Sequence, residues 1–268
     1  MQEIDLPEIL GRLRASKQNK TYFTESWTQG RSAFGGLSGA LAVCGMEKLL
    51  PAPQSMRSLM ASFIAPLPPG EVTVVPKIIR QGKNVTQLSA DLIANDQICL
   101  QTMAVFGNSR DTLEIAPDNS FKPEPRRENS NLSHGGRLPP FLKYFEGSWT
   151  GGGIPFSGSC DNRLGIWVKH KSDMSAYPVE KILSIADFPP PVILSHYNQP
   201  HVPASSLTWS LEFVKEPETV VDNWFYLDYI IDHAAHGYTQ QSGKVFTEDG
   251  QLCALSRQCM VYFDSAKH

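Results

Sequence analysis

Five apolar residues, Ile4, Leu6, Ile9, Leu10 and Leu13, fall near helical spacing at the start of the chain, which predicts a short amphipathic helix over residues 3–18. Phe34-Gly35-Gly36 then opens a run of small and apolar residues that continues to about Leu50, where Pro51 and Pro53 stop it. Beyond these prolines the pattern changes to that of strands. Residues 56–65, 71–81, 85–94 and 98–107 are β-rich and are separated by Pro-Pro-Gly, Gly-Lys-Asn and Asn-Asp turns. A helix followed by an antiparallel meander predicts an α+β arrangement in which a sheet wraps a central helix.

Residues 109–137 break the pattern. They are rich in Asp, Asn, Ser, Pro and Arg and poor in apolar side chains, as expected of an exposed connection with local disorder. The chain therefore divides into an N-terminal domain (1–108), a linker (109–138) and a C-terminal domain (139–268). The second half offers strand material at 154–156 and 162–171, and a helix from about 177 to 188 that Pro189-Pro190-Pro191 ends. Strands follow at 205–214, 224–231, 237–247 and 252–263. Asn95-Asp96 and Asp249-Gly250 occupy matching hairpin turns.

The two halves repeat each other. Gln97-Ile98-Cys99 returns as Gln251-Leu252-Cys253, an offset of 154, and residues 58–62 return at 206–210, an offset of 148. Leu41-Ala42-Val43 returns faintly as Ile185-Ala186-Asp187. A repeat of half the chain indicates a duplicated domain, since solenoid periods run roughly 20–50 residues. Val43, Met60 and Ala104 match Asp187, Thr208 and Gln258: three apolar residues become three hydrogen-bonding ones. A single asymmetric active site on a duplicated scaffold would leave such a trace.

Bulk composition narrows the function classes. At 268 residues the chain can bury a large core. A net charge of −3 with no long basic run leaves no electrostatic footprint for nucleic acid. No apolar run approaches the ~20 residues that span a membrane. The first residues, Met1-Gln2-Glu3-Ile4-Asp5, lack a basic-then-apolar leader, and most of the five cysteines sit in apolar runs; a cytoplasmic protein with reduced thiols is expected.

Several segments resemble the double hotdog acyl-CoA thioesterases, and among them the relatives of bacterial acyl-CoA thioesterase II. Gly30-Arg31-Ser32-Ala33-Phe34-Gly35-Gly36 is similar to the family's Gly-Arg-x-x-Phe-Gly-Gly segment at the first central helix. Residues 58–66 resemble its Ser-x-x-x-x-Phe-x-x-Pro strand, Arg80-Gln81-Gly82 its Arg-x-Gly turn, and residues 246–254 with Arg257-Gln258 its closing hairpin. The resemblance spans residues 22–108 and 140–263. It implies a tandem hotdog fold, two curved antiparallel sheets each wrapped around a central helix, with thioester hydrolysis between them.

In that family an Asp, a Thr and a Gln surround one water. The Gln matches Gln258, whereas Thr208 stands at the strand position matched to the Asp, and the Thr falls near Asp232 or His233. Ile185-Ala186-Asp187 resembles the Leu-Ala-Asp of single-hotdog thioesterases, whose helical Asp is base or nucleophile. Asp187 is therefore the preferred base, with Asp232 the alternative. Gln258 and Thr208 would position the water, and the Gly36 N–H at a helix N-terminus would meet the oxyanion. Phe34, Gly35, Arg80 and Lys83 are the candidate substrate contacts, the last two for CoA phosphates.

Each residue also has a plainer reading. Gly35-Gly36 suits close helix packing, Thr208 is an ordinary strand residue, and Gln258 could bond a neighbouring backbone. Asp187 could be a solvated helix end, although the helix dipole disfavours an acid there. His233 and His236 lack an acidic or Cys partner at metal-ligand spacing, and Cys44 suits a buried thiol better than a nucleophile. The expected reaction is hydrolysis of an acyl-CoA, or of an acyl-carrier thioester, by activated water without metal or other cofactor. A non-catalytic acyl-thioester-binding protein is the competing class, and a hydratase ranks third. Neither a nucleic acid nor a membrane is expected as a partner; a homo-oligomer, a dimer, is.

Overall fold

The computed structural model describes residues 3–118, 120–127, 138–198 and 202–263. Helix α1 (Leu6–Ala15) starts where the Asp5 carboxylate accepts the Glu8 N–H at 3.0 Å with Pro7 in the first turn, and it buries Leu6, Ile9, Leu10 and Leu13. Strand β1 (Lys20–Phe23) and a short hairpin, β2 (Thr28–Gln29) with β3 (Ser32–Ala33), follow. Helix α2 (Gly35–Glu47) is buried on every side from Gly36 to Met46. Its small residues allow this: a Cβ on Gly39 would lie 2.9 Å from Leu183, and one on Gly45 would lie 2.5 Å from Val74.

Four strands complete the first half: β4 (Ser55–Phe63), β5 (Gly70–Gln81), β6 (Val85–Ala94) and β7 (Gln97–Gly107). The β6–β7 turn places both Asn95 and Asp96 at positive φ (50° and 57°), as a two-residue type I′ hairpin requires. The second half comprises β8 (Phe145–Gly151), β9 (Arg163–His170), α3 (Pro178–Ala186), β10 (Ala204–Phe213), β11 (Phe225–Ala235), β12 (Tyr238–Phe246) and β13 (Leu252–Tyr262). The strand expected at 154–156 is a turn, in which the Ile154 carbonyl accepts from Ser157; the strand that forms there is β8, which ends three residues earlier.

The two expected sheets are one. Its eleven strands run in the order β1-β5-β6-β7-β4-β10-β13-β12-β11-β9-β8, joined at the centre where β4 pairs antiparallel with β10 from Thr208↔Ser62 to Glu212↔Ser58. Edge-to-edge pairing satisfies two rows of backbone groups that separate sheets would leave bare. α2 and α3 pack against each other on the inner face. Under the joined halves lies an aromatic cluster in which Trp27 stacks on Tyr144 and Phe34 on Phe141, both with ring centroids 4.1 Å apart.

The connection after β7 is less free than its composition suggests. Phe121 packs on Tyr226 and Phe246, the Trp167 indole donates to the Glu124 carbonyl at 2.7 Å, and the Arg127 N–H donates to Ser148. Residues 120–127 thus cover the outer face of the second half. The rest of the expected disordered stretch, 128–137, lies outside the described residues.

Candidate active site

A cleft of about 230 Å³ opens between the halves. The β2–β3 hairpin, Gly35 and the end of β4 from Phe63 to Pro66 form one wall. The other is formed by Asp187, Pro189, Pro191, the start of β10, Gln258 and Met260. Asp187 follows the last residue of α3, and Gly35 begins α2. The carboxyl therefore sits at the disfavoured end of its own helix and the favoured end of the neighbouring one. The Gln258 side-chain amide donates to it at 2.7 Å, and the Gly36 backbone N–H lies near enough to favour its charged form. Burial outweighs these donors and pushes the Asp187 carboxyl up to about 7.

Two supports fix the carboxyl's position. Tyr229 on β11 donates its hydroxyl to the Ala186 carbonyl, one of the groups a helix end leaves without an intrahelical partner. Its ring crosses Gly243, where a Cβ would fall 2.3 Å away, so a glycine is needed there. On α3, Ser184 donates to the Glu180 carbonyl at 2.6 Å and meets His170 Nε2 at 2.9 Å; burial pushes that imidazole down to about 3, so it stays neutral.

Gln258 faces inward on β13, opposite Trp209 of β10 and Gln241 of β12. The matching first-half position is Ala104, opposite Leu59 and Leu88. The duplicated ladder thus holds an amide pair in one half and an apolar pair in the other. Val43 is a looser counterpart of Asp187, because it lies inside α2 whereas Asp187 follows the end of α3; the residue that ends α2 is Glu47.

Other expected site residues lie elsewhere. Thr208 is exposed on the outer face of the sheet, with Met60, and away from the cleft. A β-bulge between Ser206 and Thr208 causes this: Ser206 pairs with inward-facing Met260, but Thr208 pairs with Cys259, so the strand changes face within two residues. Ser206 then lines the cleft, with Ser205 beside it. Arg80 and Lys83 sit on the β5–β6 hairpin. The hairpin's far end lies beside Ser55 through Gly107, at the opposite end of β4 from Phe63 and roughly 26 Å along the strand. Phe34 is fully buried in the aromatic cluster rather than at the cleft. Asp232 is on the surface, accepting from Ser242 at 2.6 Å, and His233 and His236 are exposed near it. Cys44 is buried, and burial pushes its thiol far up.

Sequence reasoning missed Gln241 and Ser206, whereas Gly35, expected as a substrate contact, lines the cleft. Gln241 lies on the buried phase of β12, alternating with half-buried and exposed positions, and that is the signal that could have found it.

The acyl-CoA thioesterase N-terminal domain family matches residues 23–107 and the acyl-CoA thioesterase C-terminal domain family matches residues 115–262. The chain belongs to the acyl-CoA thioesterase family. Solved structures share the hotdog fold at low identity. One is a conserved protein of unknown function with a hot dog fold from Alicyclobacillus acidocaldarius (16% identity, TM-score 0.80, 91% of this chain and 92% of that one). Another is the tesB protein of Mycobacterium avium subs paratuberculosis (16%, 0.71, 97% and 100%). A third is the acyl-CoA thioesterase II TesB2 of Mycobacterium marinum (14%, 0.65, 88% and 92%). No curated protein matches the sequence. Among the described residues, no helix is long and apolar enough to cross a membrane.

Proposed function

We propose that the protein is built of two fused hotdog units and hydrolyses an acyl-CoA to the free acid and CoA by a water that Asp187 activates. The observation that carries this is a carboxyl buried at the cleft between α2 and β13, held at about 7 and accepting from the Gln258 amide. A base poised near neutral pH is half ionised where it must work and strong enough to take a proton. Water gives that proton to Asp187 while its oxygen attacks the thioester carbon; the C–S bond then breaks and the thiolate leaves with the proton. Gln258 Nε2 spends one hydrogen on Asp187 and has a second to hold the water, and Ser206 stands beside it.

Gly36 takes a modified role. Its N–H lies toward Asp187 and favours the ionised base, and the oxyanion falls to the neighbouring N–H of Gly35, the first residue of α2, which has no intrahelical acceptor. Nothing in this reading requires a metal or other cofactor.

Free-thiol release from a panel of acyl-CoAs tests the reading. Turnover should rise with pH through about 7 as Asp187 loses its proton, then level off. Asp187→Asn should lower kcat by at least ~10²-fold, the low end of general-base contributions. Hydrolysis that stays at the parental rate in this variant would remove Asp187 from the mechanism.

A further inference from the structure

Resting on Asp187 as the base, we propose that Gln241 is a positioning residue that sets which end of the Gln258 amide meets the carboxyl. The argument begins at the backbone. Pro189, Pro190 and Pro191 carry no N–H, so Val192 has the first amide hydrogen after Phe188, whose own N–H closes back on the Ile185 carbonyl. That N–H points inward and donates to Gln241 Oε1 at 3.1 Å. A backbone N–H can only donate, so the Gln241 side chain must turn its oxygen toward Val192 and its NH₂ the other way.

The NH₂ then donates to Gln258 Oε1 at 2.8 Å, and Gln258 in turn directs its own NH₂ at Asp187 Oδ1 at 2.7 Å. Each link leaves the next amide one usable orientation. Both side chains are almost fully buried, Gln241 at 1% and Gln258 at 3% exposure, so no solvent competes for them. Without Gln241 the Gln258 amide could flip. A flip would set carbonyl lone pairs against the carboxylate and remove the donor that holds the water.

Ionisable neighbours do not provide an alternative control of Asp187. Among the described residues, the one that bears on it from a packed element is Tyr229 of β11, whose hydroxyl burial pushes well above its ordinary range. The turns and strands otherwise facing it present Gly35, Gly36, Gln241 and Gln258, none of which titrates.

The test uses the full chain carrying Gln241→Met, which keeps length and burial but removes both polar ends. Two readouts are taken: acyl-CoA turnover against pH, and the Asp187 carboxyl titration by carbon NMR. Turnover should fall roughly 10-fold or more, the scale of one misdirected hydrogen bond to a charged group. The titration and the acid limb should both move to higher pH, with KM within about twofold of the parent's. A purely structural amide would lower thermal stability but leave both midpoints in place, and that result in a folded variant would overturn the proposal. If the wild-type protein released no thiol from any acyl-CoA, the hydrolase reading would fall, while the titration would still decide the role of Gln241.

Discussion

At the scale of single residues, the two adjacent glycines that open α2 have separate roles. A Cβ on Gly35 would enter the cleft 2.6 Å from Asp187 Oδ2 and 3.2 Å from the Phe63 ring. On Gly36 it would strike the Phe34 ring at 2.5 Å and the Ser184 backbone carbonyl at 2.8 Å. Helix propensity favours Ala over Gly by about 1 kcal/mol, so only the local clash sets the sign. Gly35→Ala should fold normally yet lose turnover by ~10-fold or more, because its methyl displaces the reacting carbonyl. Gly36→Ala should lose about 1–3 kcal/mol of stability, the usual cost of overpacking a core. Paired kinetics and thermal melts would show a crossed pattern; equal loss of both properties in both variants would contradict the assignment. The sequence showed that small residues were needed here, but not which glycine faced the cleft. That depends on the helix's rotation against Asp187 and Ser184, contacts made across more than 140 residues.

At the scale of elements, periodicity was a good guide except where it changed. Most strands and all three helices fall within a few residues of the expected bounds, because alternating burial and proline stops act locally. Asp187 was legible from its place after an apolar helix, and Gln258 from its contrast with Ala104. Thr208 was misplaced because a one-residue bulge leaves no compositional mark but turns the following side chains to the other face. This gives an element-scale prediction: Ser206→Ala should reduce kcat severalfold, the loss of one water contact, whereas Thr208→Val should leave it within about twofold. Steady-state kinetics decide, and a large loss confined to Thr208→Val would reverse the reading of the bulge. Arg80 and Lys83 lie away from the cleft for a different reason: nothing local in the sequence fixes how far a hairpin tip stands from it.

At the scale of the whole molecule, the cleft belongs to neither half alone. Gly35 and Phe63 come from one and Asp187 and Gln258 from the other, and the amide pair exists only in the second copy. Asymmetry of this kind lets one duplicated scaffold keep a structural ladder at Leu88–Ala104 and a polar one at Gln241–Gln258. The β4–β10 junction has a consequence for how the chain can be cut. Leu113 and Ile115 are exposed (90% and 89%) and precede the point where Phe121 docks on the second half. A break there would sever one covalent connection but leave the central strand pairing and the α2–α3 contact intact. Fragments ending and beginning near Leu113, made as two polypeptides, should therefore find each other and hydrolyse thioester as a reconstituted complex. Either fragment alone, with β4 or β10 as a bare edge, should aggregate. The covalent continuity of the chain would then be dispensable to the working cleft.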